Sequence, residues 1–246
     1  LIRDPYAIYA HHSLQLRGLR PLVQSPDAPL RGIVVHSVME HFVKSVMAEP
    51  ENLNRAHLMA IAEDRLRELV PWPAAHAIWL ARIARIADWF IEHESTRLAT
   101  ATPIAFEDDA RGTLELADLG FTLSGIADRI DRNISGEIQI YDYKTGNPPT
   151  EKQQKHFDKQ LLIEAAMVEE GAFKKVGAAP VSKATFIGLS NPPVQTDAPL
   201  EEEPMREVLA NLRKLIAAYL DLDQGFTSRR MRSEEHTSEL QSLAYL

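Results

Sequence analysis

The sequence predicts an α/β fold, a central mixed β-sheet flanked by helices and preceded by a helical half. Three observations carry this reading. Apolar residues recur at helical spacing through about the first 100 residues, four strand-like segments follow to about residue 144, and the rest alternates helix, strand and helix. No repeat or low-complexity tract interrupts the pattern.

With 246 residues, 45% hydrophobic and 25% charged, the chain is long enough for one large domain with a substantial core, and cramped for two. A single domain is expected over residues 1–231, its helical half at about 1–100 and its αβ half at about 101–225. Helices are expected at about 32–48, 54–69 and 74–98. Arg31-Gly32 announces the first, whose stripe is Val35, Val38, Met39, Phe42, Val43 and Val46; the third sets Ile78, Ile83, Ile86, Trp89 and Phe90 among alanines. Strands are expected at about 103–107, 113–117, 121–132 and 137–144. Asn147-Pro148-Pro149-Thr150 joins a breaker to an N-cap and opens a helix to about 170. A last strand over 184–189 and a helix at about 201–222 complete the order, and the proline-rich, acidic stretches 21–30 and 190–204 read as surface loops.

Residues 125–146, GIADRIDRNISGEIQIYDYKTG, read as a β-hairpin whose loop, Ile134-Ser135-Gly136, uses the glycine for positive φ. Centred there, Ile130 pairs with Ile140, Arg132 with Ile138 and Asp128 with Asp142. Alternation puts Ile126, Asp128, Ile130, Ile138, Ile140, Asp142 and Lys144 on one face and Arg129, Asp131, Glu137, Gln139, Tyr141 and Tyr143 on the other. The first is expected to be the core face, yet it ends in two carboxylates and an ammonium. Facing carboxylates on a half-buried sheet are costly unless a cation sits between them, which points to a metal. Two plainer alternatives stay open: a one-residue slip that sends one acid to solvent, or an ion pair in which Lys144 neutralises the other.

Composition narrows the function classes. No run of about 18 apolar residues exists to span a membrane, and no signal peptide is evident. Zero cysteines exclude disulfides, thiolate zinc sites and cysteine-ligated iron–sulfur clusters, and are compatible with a cytoplasmic setting. A net charge of −8 argues against an unspecific nucleic-acid binder but not against a nuclease, whose metal-holding acids count towards that total.

These residues resemble the RecB-like branch of the PD-(D/E)xK nucleases. The family pattern places a histidine on a helix, here His36 after Gly32-Ile33-Val34-Val35; G-x-x-D-R-x-D on a strand, here Gly125 to Asp131; D-Y-K-T-G on the next, here Asp142 to Gly146; and a glutamine on the following helix, here Gln160. All four stand in order across most of the chain. Within the branch the sequence is most similar to the C-terminal nuclease domains of AddB proteins, subunits of AddAB helicase–nucleases: Arg3 to Ala10 is similar to their usual entry, and Gln160 to Ala166 to their glutamine helix. Two features depart from the pattern. Glu164 stands where many relatives carry a tyrosine, and the missing cysteines place the chain with a type free of an iron–sulfur cluster.

The resemblance implies a PD-(D/E)xK core and a metal-dependent DNA exonuclease, acting in a helicase–nuclease that processes double-strand breaks for recombinational repair in the bacterial cytoplasm. Its partners would be single-stranded DNA ends and an AddA-like helicase–nuclease subunit. Phosphodiester hydrolysis needs a metal to stabilise charge on the phosphoryl oxygens and to activate water, and oxygen ligands suit Mg²⁺ or Mn²⁺. On this reading Asp128 and Asp142 are carboxylate ligands, His36 is a third ligand and the Tyr143 carbonyl a fourth. Lys144 orients or deprotonates the water and meets the developing charge, while Gln160 holds the water or a phosphate. Glu40, one turn beyond His36, reads as a surface acid, and His11-His12 as surface residues. A catalytically inactive scaffold for DNA or partner binding, and a free-standing nuclease without a helicase, are the competing readings.

DNA contacts are expected on the helix that carries Gln160. At 100° per residue Lys152, Lys155 and Lys159 fall within about 60° of one another, apart from an apolar stripe of Phe157, Leu161, Ala165 and Val168. Finally, Arg232 to Ser242 resembles the translation of a widely used DNA-sequencing adapter, so 232–246 is expected to be a non-native tail, and the opening on Leu1 fits a fragment.

Overall fold

The structure, a computed structural model, describes residues 4–19 and 25–227. The adapter-like tail and Arg3 therefore lie outside the described residues. A short helix α1 (Pro5–Ile8) and a π-helical turn (Tyr9–Ser13) lead to three long helices: α2 (Ala28–Ala48), α3 (Arg55–Leu69) and α4 (Pro73–Thr100). Asp27 and Asn54 set the starts of α2 and α3, accepting from the Leu30 and His57 amides, each at 2.9 Å. The apolar stripe read from the sequence is the buried side of α2: Val35, Val38, Met39, Phe42, Val43 and Val46 are all buried.

Seven strands follow, β1 (Ala101–Phe106), β2 (Arg111–Leu116), β3 (Phe121–Ile126), β4 (Arg129–Asn133), β5 (Ile138–Lys144), β6 (Val181–Gly188) and β7 (Val194–Asp197). Between β5 and β6 run α5 (Glu151–His156) and α6 (Gln160–Glu169), and α7 (Met205–Leu220) closes the described fold. The main sheet has the order β1-β4-β5-β6-β7, while β2 and β3 form a separate pair. Among the described residues its one parallel pairing, β5 with β6, is bridged by the α5–α6 crossover, as parallel neighbours require. The mixed sheet, flanking helices and helical N-terminal half agree with the fold class the sequence predicts.

Four differences from the sequence reading matter for the site. First, the expected strand 121–132 is two strands: Ala127 and Asp128 leave the ladder, so β3 joins β2 while β4 enters the main sheet. Second, the expected helix from Thr150 to about 170 is interrupted at 157–159. Thr150 and Gln153 form a capping box on α5, and Lys159 caps α6 from a non-helical conformation. Third, the stretch 190–204 contains a strand, β7, which pairs antiparallel with β6. Fourth, both faces of the β4–β5 hairpin are core. Ile130, Ile138 and Ile140 pack with α6 and α7 on one side, while Tyr141 and Tyr143 pack with α2, α3 and α4 on the other. A strand buried on both sides has no solvent face to display alternation, so Arg129 and Asp131 on the second face are buried too.

The hairpin register is as expected, with Ile130 opposite Ile140 and Arg132 opposite Ile138. Gly136 turns the loop at φ 84°. A second glycine places the chain beyond Lys144: a Cβ on Gly188 would stand 2.5 Å from Pro148 Cδ, so only glycine lets that loop lie on β6.

Candidate active site

The site lies at the carboxyl end of β5 and begins with a gap in the ladder. The last β4–β5 pair is Arg129 with Tyr141, and the expected pairing of Asp128 with Asp142 does not form, because the chain has already turned away at Asp128. Tyr143 is thereby left with an amide and a carbonyl that β4 cannot satisfy, and buried backbone groups need partners. Asp128 Oδ2 accepts from the Tyr143 N–H at 2.7 Å. The Tyr143 carbonyl lies 2.7 Å from His36 Nε2, which donates to it from α2. The turn before β4 and the helix α2 thus meet at this one residue.

His36 also faces Asp128, with Nδ1 3.4 Å from Oδ1; their side chains are only 26% and 14% exposed. Burial works to lower the imidazole pKa, but the Asp128 carboxylate, Asp142 and the Tyr143 carbonyl outweigh it and hold the ring charged, at about 9. Burial likewise opposes the charge on Asp128, yet His36, the Tyr143 amide and Lys144 together keep it below the usual carboxylate range.

On the α6 side, Asp142, Lys144 and Gln160 close a ring. Gln160 Nε2 donates to Asp142 Oδ1 at 2.7 Å, and Lys144 Nζ donates to Gln160 Oε1 at 3.1 Å and to Asp142 Oδ1 at 3.3 Å. Lys144 is also 3.0 Å from Asp142 Oδ2, but that approach lacks hydrogen-bond geometry and leaves the buried Oδ2 without a hydrogen-bond partner among the described residues. Burial and the neighbouring Asp128 push the Asp142 carboxyl up to about 6 despite Lys144. Burial alone would lower the lysine; the two aspartates raise it and keep it an ammonium.

One further acid joins the site. Glu164, one turn after Gln160 on α6, is buried and accepts from Gln160 Nε2 at 3.1 Å. Burial and Asp142 push its carboxyl well above the ordinary range. Glu107, just after β1, is exposed and stands outside the ring, although partial desolvation and the charge of Asp128 raise its carboxyl. Only the spacing from Gln160 could have found Glu164 in the sequence, and Glu107 carries no local signal. Glu40 pairs with Lys44 at 2.5 Å rather than with His36, but its side chain is only 14% exposed and so is not the surface acid expected from the sequence; His11 and His12 are exposed as expected.

The lysines expected along the DNA path divide. Lys152 and Lys155 are exposed on α5, whereas Lys159 sits in the interruption and pairs with Glu203, so the three do not share one continuous helix face.

The residues fit a hard divalent cation in their donor chemistry. Asp142 Oδ2 is buried and lacks a hydrogen-bond partner, and the Asp128 carboxylate and the Tyr143 carbonyl are at hand. Among the described residues no three His, Cys, Asp or Glu side chains form a finished cage. His36 must release the Tyr143 carbonyl before both could serve one ion.

Residues 5–234 match the PD-(D/E)XK nuclease superfamily. The chain is 30% identical over 174 residues to an uncharacterized protein of Rickettsia bellii (strain RML369-C), covering 70% of this chain and 21% of that protein. It is similarly 30% identical over 180 residues to an uncharacterized protein of Rickettsia conorii (strain ATCC VR-613 / Malish 7), covering 71% of this chain and 22% of the relative. The chain thus spans about a fifth of the length of the curated relatives it matches. Among the described residues no helix is long and apolar enough to cross a membrane. With the superfamily match running from α1 past the end of α7, this chain belongs to the PD-(D/E)XK nuclease superfamily.

Proposed function

We propose that this domain is a metal-dependent deoxyribonuclease, an exonuclease that hydrolyses phosphodiester bonds at single-stranded DNA ends with Mg²⁺ or Mn²⁺. The observation that carries the reading is the convergence of Asp128, Asp142, Lys144 and Gln160 at one strand end, with Asp142 Oδ2 buried and lacking a hydrogen-bond partner among the described residues. A bound divalent ion would supply charge stabilisation at the phosphoryl oxygens and an acidified water. Asp128, Asp142 and the Tyr143 carbonyl would hold it, with His36 as a further ligand once the ring lets go of that carbonyl.

The protein's own groups do the rest. Lys144, kept cationic by Asp142 and Asp128, meets the negative charge that develops on the phosphate. Gln160 holds the ammonium in place through its carbonyl oxygen. The Phe186 ring, with the ammonium 5.5 Å from its centroid, shields one side of Lys144 from water.

A role beside an AddA-like helicase–nuclease subunit in double-strand-break processing is the finer reading. It is supported by the resemblance of the His36, Gly125–Asp131, Asp142–Gly146 and Gln160 motifs, and it is in keeping with relatives several times longer than the matched region. The test is cleavage of end-labelled single-stranded and circular DNA under a titration of Mg²⁺ or Mn²⁺, with crystals soaked in Mn²⁺. Release of nucleotides from ends only, and density between Asp128 and Asp142 with ligand oxygens within about 2.0–2.6 Å, are expected. Cleavage unaffected by chelator, or no density between the aspartates, defeats the reading.

A further inference from the structure

Glu164 is the one site residue whose presence the proposed chemistry does not explain. It is buried, its Oε2 has no hydrogen-bond partner among the described residues, and it occupies a helix position surrounded by Leu161, Ala165 and Val168 of the same core. An apolar side chain there would avoid the cost of desolvating a carboxyl, and replacing buried ionisable groups by packed hydrophobic ones is often neutral or stabilising. An acid at such a position needs a reason outside packing.

The reason lies in the hydrogen-bond count of Gln160. A primary amide has two N–H donors on one end and an acceptor oxygen on the other, and only its surroundings decide which end points where. Gln160 Nε2 reaches Asp142 Oδ1 at 2.7 Å and Glu164 Oε1 at 3.1 Å, so both N–H groups have acceptors; Gln160 Oε1 is left to receive Lys144 Nζ at 3.1 Å. Rotating the amide by half a turn would set its oxygen against two carboxyl oxygens and its N–H groups against an ammonium. Without Glu164, only Asp142 and the Lys144 ammonium would resist that rotation, and Asp142, the one acceptor left to the N–H groups, is also the group that a cation would recruit.

We infer that Glu164 is a positioning residue: by occupying the second N–H of Gln160 it locks the amide with its oxygen towards Lys144, and so keeps the lysine aimed at the scissile phosphate when Asp142 turns to the metal. The inference rests on the nuclease reading for its consequence, but not for its geometry. Misplacement of a reacting group by even about 1 Å can cost on the order of 100-fold in rate.

The experiment compares Glu164→Met with Glu164→Gln, which keeps an acceptor oxygen at the same reach. In DNA cleavage, Glu164→Met should lose about 10- to 100-fold in kcat with KM within about threefold, at an unchanged or higher melting temperature. Glu164→Gln should retain kcat within about threefold. In ¹⁵N-labelled protein the two side-chain amide protons of Gln160 should shift in Glu164→Met and stay near their wild-type positions in Glu164→Gln. Wild-type kcat or unmoved Gln160 signals in Glu164→Met would overturn the inference. So would a Glu164→Gln variant as impaired as Glu164→Met, because an acceptor oxygen at the same reach would then not suffice, or a drop in melting temperature that accounts for lost activity. If the wild type cleaves no DNA with any divalent cation, the nuclease reading fails, while the Gln160 signals still decide the role of Glu164.

Discussion

The two faces of the β4–β5 hairpin both bury charge, and they do so in opposite ways. On the side of α2, α3 and α4, Arg129 is fully buried and forms a bidentate pair with Asp131, both contacts at 2.7 Å, while its remaining nitrogen reaches Glu94 at 2.7 Å. Glu94 in turn accepts from Arg97 Nε at 2.9 Å, and the Arg97 guanidinium, whose buried Nη1 and Nη2 have no hydrogen-bond partner among the described residues, lies over the rings of Phe90 and Tyr141. Two acids meet two arginines, so the charges balance without help. On the α6 side and at the strand end, Asp128, Asp142 and Glu164 face Lys144 and His36, and Asp142 and Glu164 each keep a buried oxygen with no hydrogen-bond partner among the described residues. The first network is closed in charge and holds the sheet to the helical layer; the second is open, with three acids against two cationic side chains. Neither burial nor a missing hydrogen bond marks a functional charge by itself, since Arg97 shows both; the excess of acid over base at the strand end is what separates the second network from the first.

The comparison breaks most visibly at Arg129. Arg129→Met should remove about 3–5 kcal/mol of stability, because it strands Asp131 in the core and leaves Glu94 with Arg97 alone. Urea unfolding measures it, and a loss below about 1 kcal/mol would mean that the closed face is held by its aromatic packing instead. The matching cut on the open face is Lys144→Ala. There the expected loss is about 10² or more in cleavage rate, with global stability changed far less than in the Arg129 variant. Equal losses of stability in the two variants would erase the distinction.

A pH series sharpens the contrast. The Asp142 carboxyl titrates at about 6 in the fold against 3.8 as the ordinary value, so the folded state binds this proton more tightly than the unfolded chain does. Stability from this group is therefore present at low pH and is lost as pH rises from about 4 to about 6. Metal-free Asp142→Asn should accordingly be more stable than wild type by about 1–3 kcal/mol above pH 6, with the gain vanishing near pH 4. Added Mg²⁺ or Mn²⁺ should stabilise wild type and not the variant. A variant less stable than wild type at neutral pH would show that the Lys144 pair, and not the unfilled oxygen, dominates Asp142.

The smallest effect concerns the approach to the open face. Neutralising Lys152 and Lys155 together should make the log–log salt slope of single-stranded DNA binding shallower by about 1.4, at about 0.7 per phosphate contact. Lys159→Gln, which breaks a pair with Glu203, should add little to that change. An unchanged slope in the double variant would leave α5 as solvated surface and move the DNA path elsewhere.

What the sequence determined by itself is periodic or local. The stripe of α2, the alternation that pairs Ile130 with Ile140, the turn at Gly136 and the order of His36, Asp128, Asp142, Lys144 and Gln160 are legible because each depends on neighbours a few positions away or on a short motif. Tertiary structure alone decided that the strand ends at Ala127-Asp128, which opens the Tyr143 amide and carbonyl to Asp128 and His36 instead of to a ladder. It also decided that the face carrying Arg129 and Asp131 is buried, since Glu94, 35 residues away, comes from a helix laid across it. His36 and Tyr143 are 107 residues apart, and no pattern along the chain encodes that contact. Glu164 shows the limit most plainly: its spacing from Gln160 was visible, but an acid one turn along a helix is ordinary surface until packing against the sheet takes its water away.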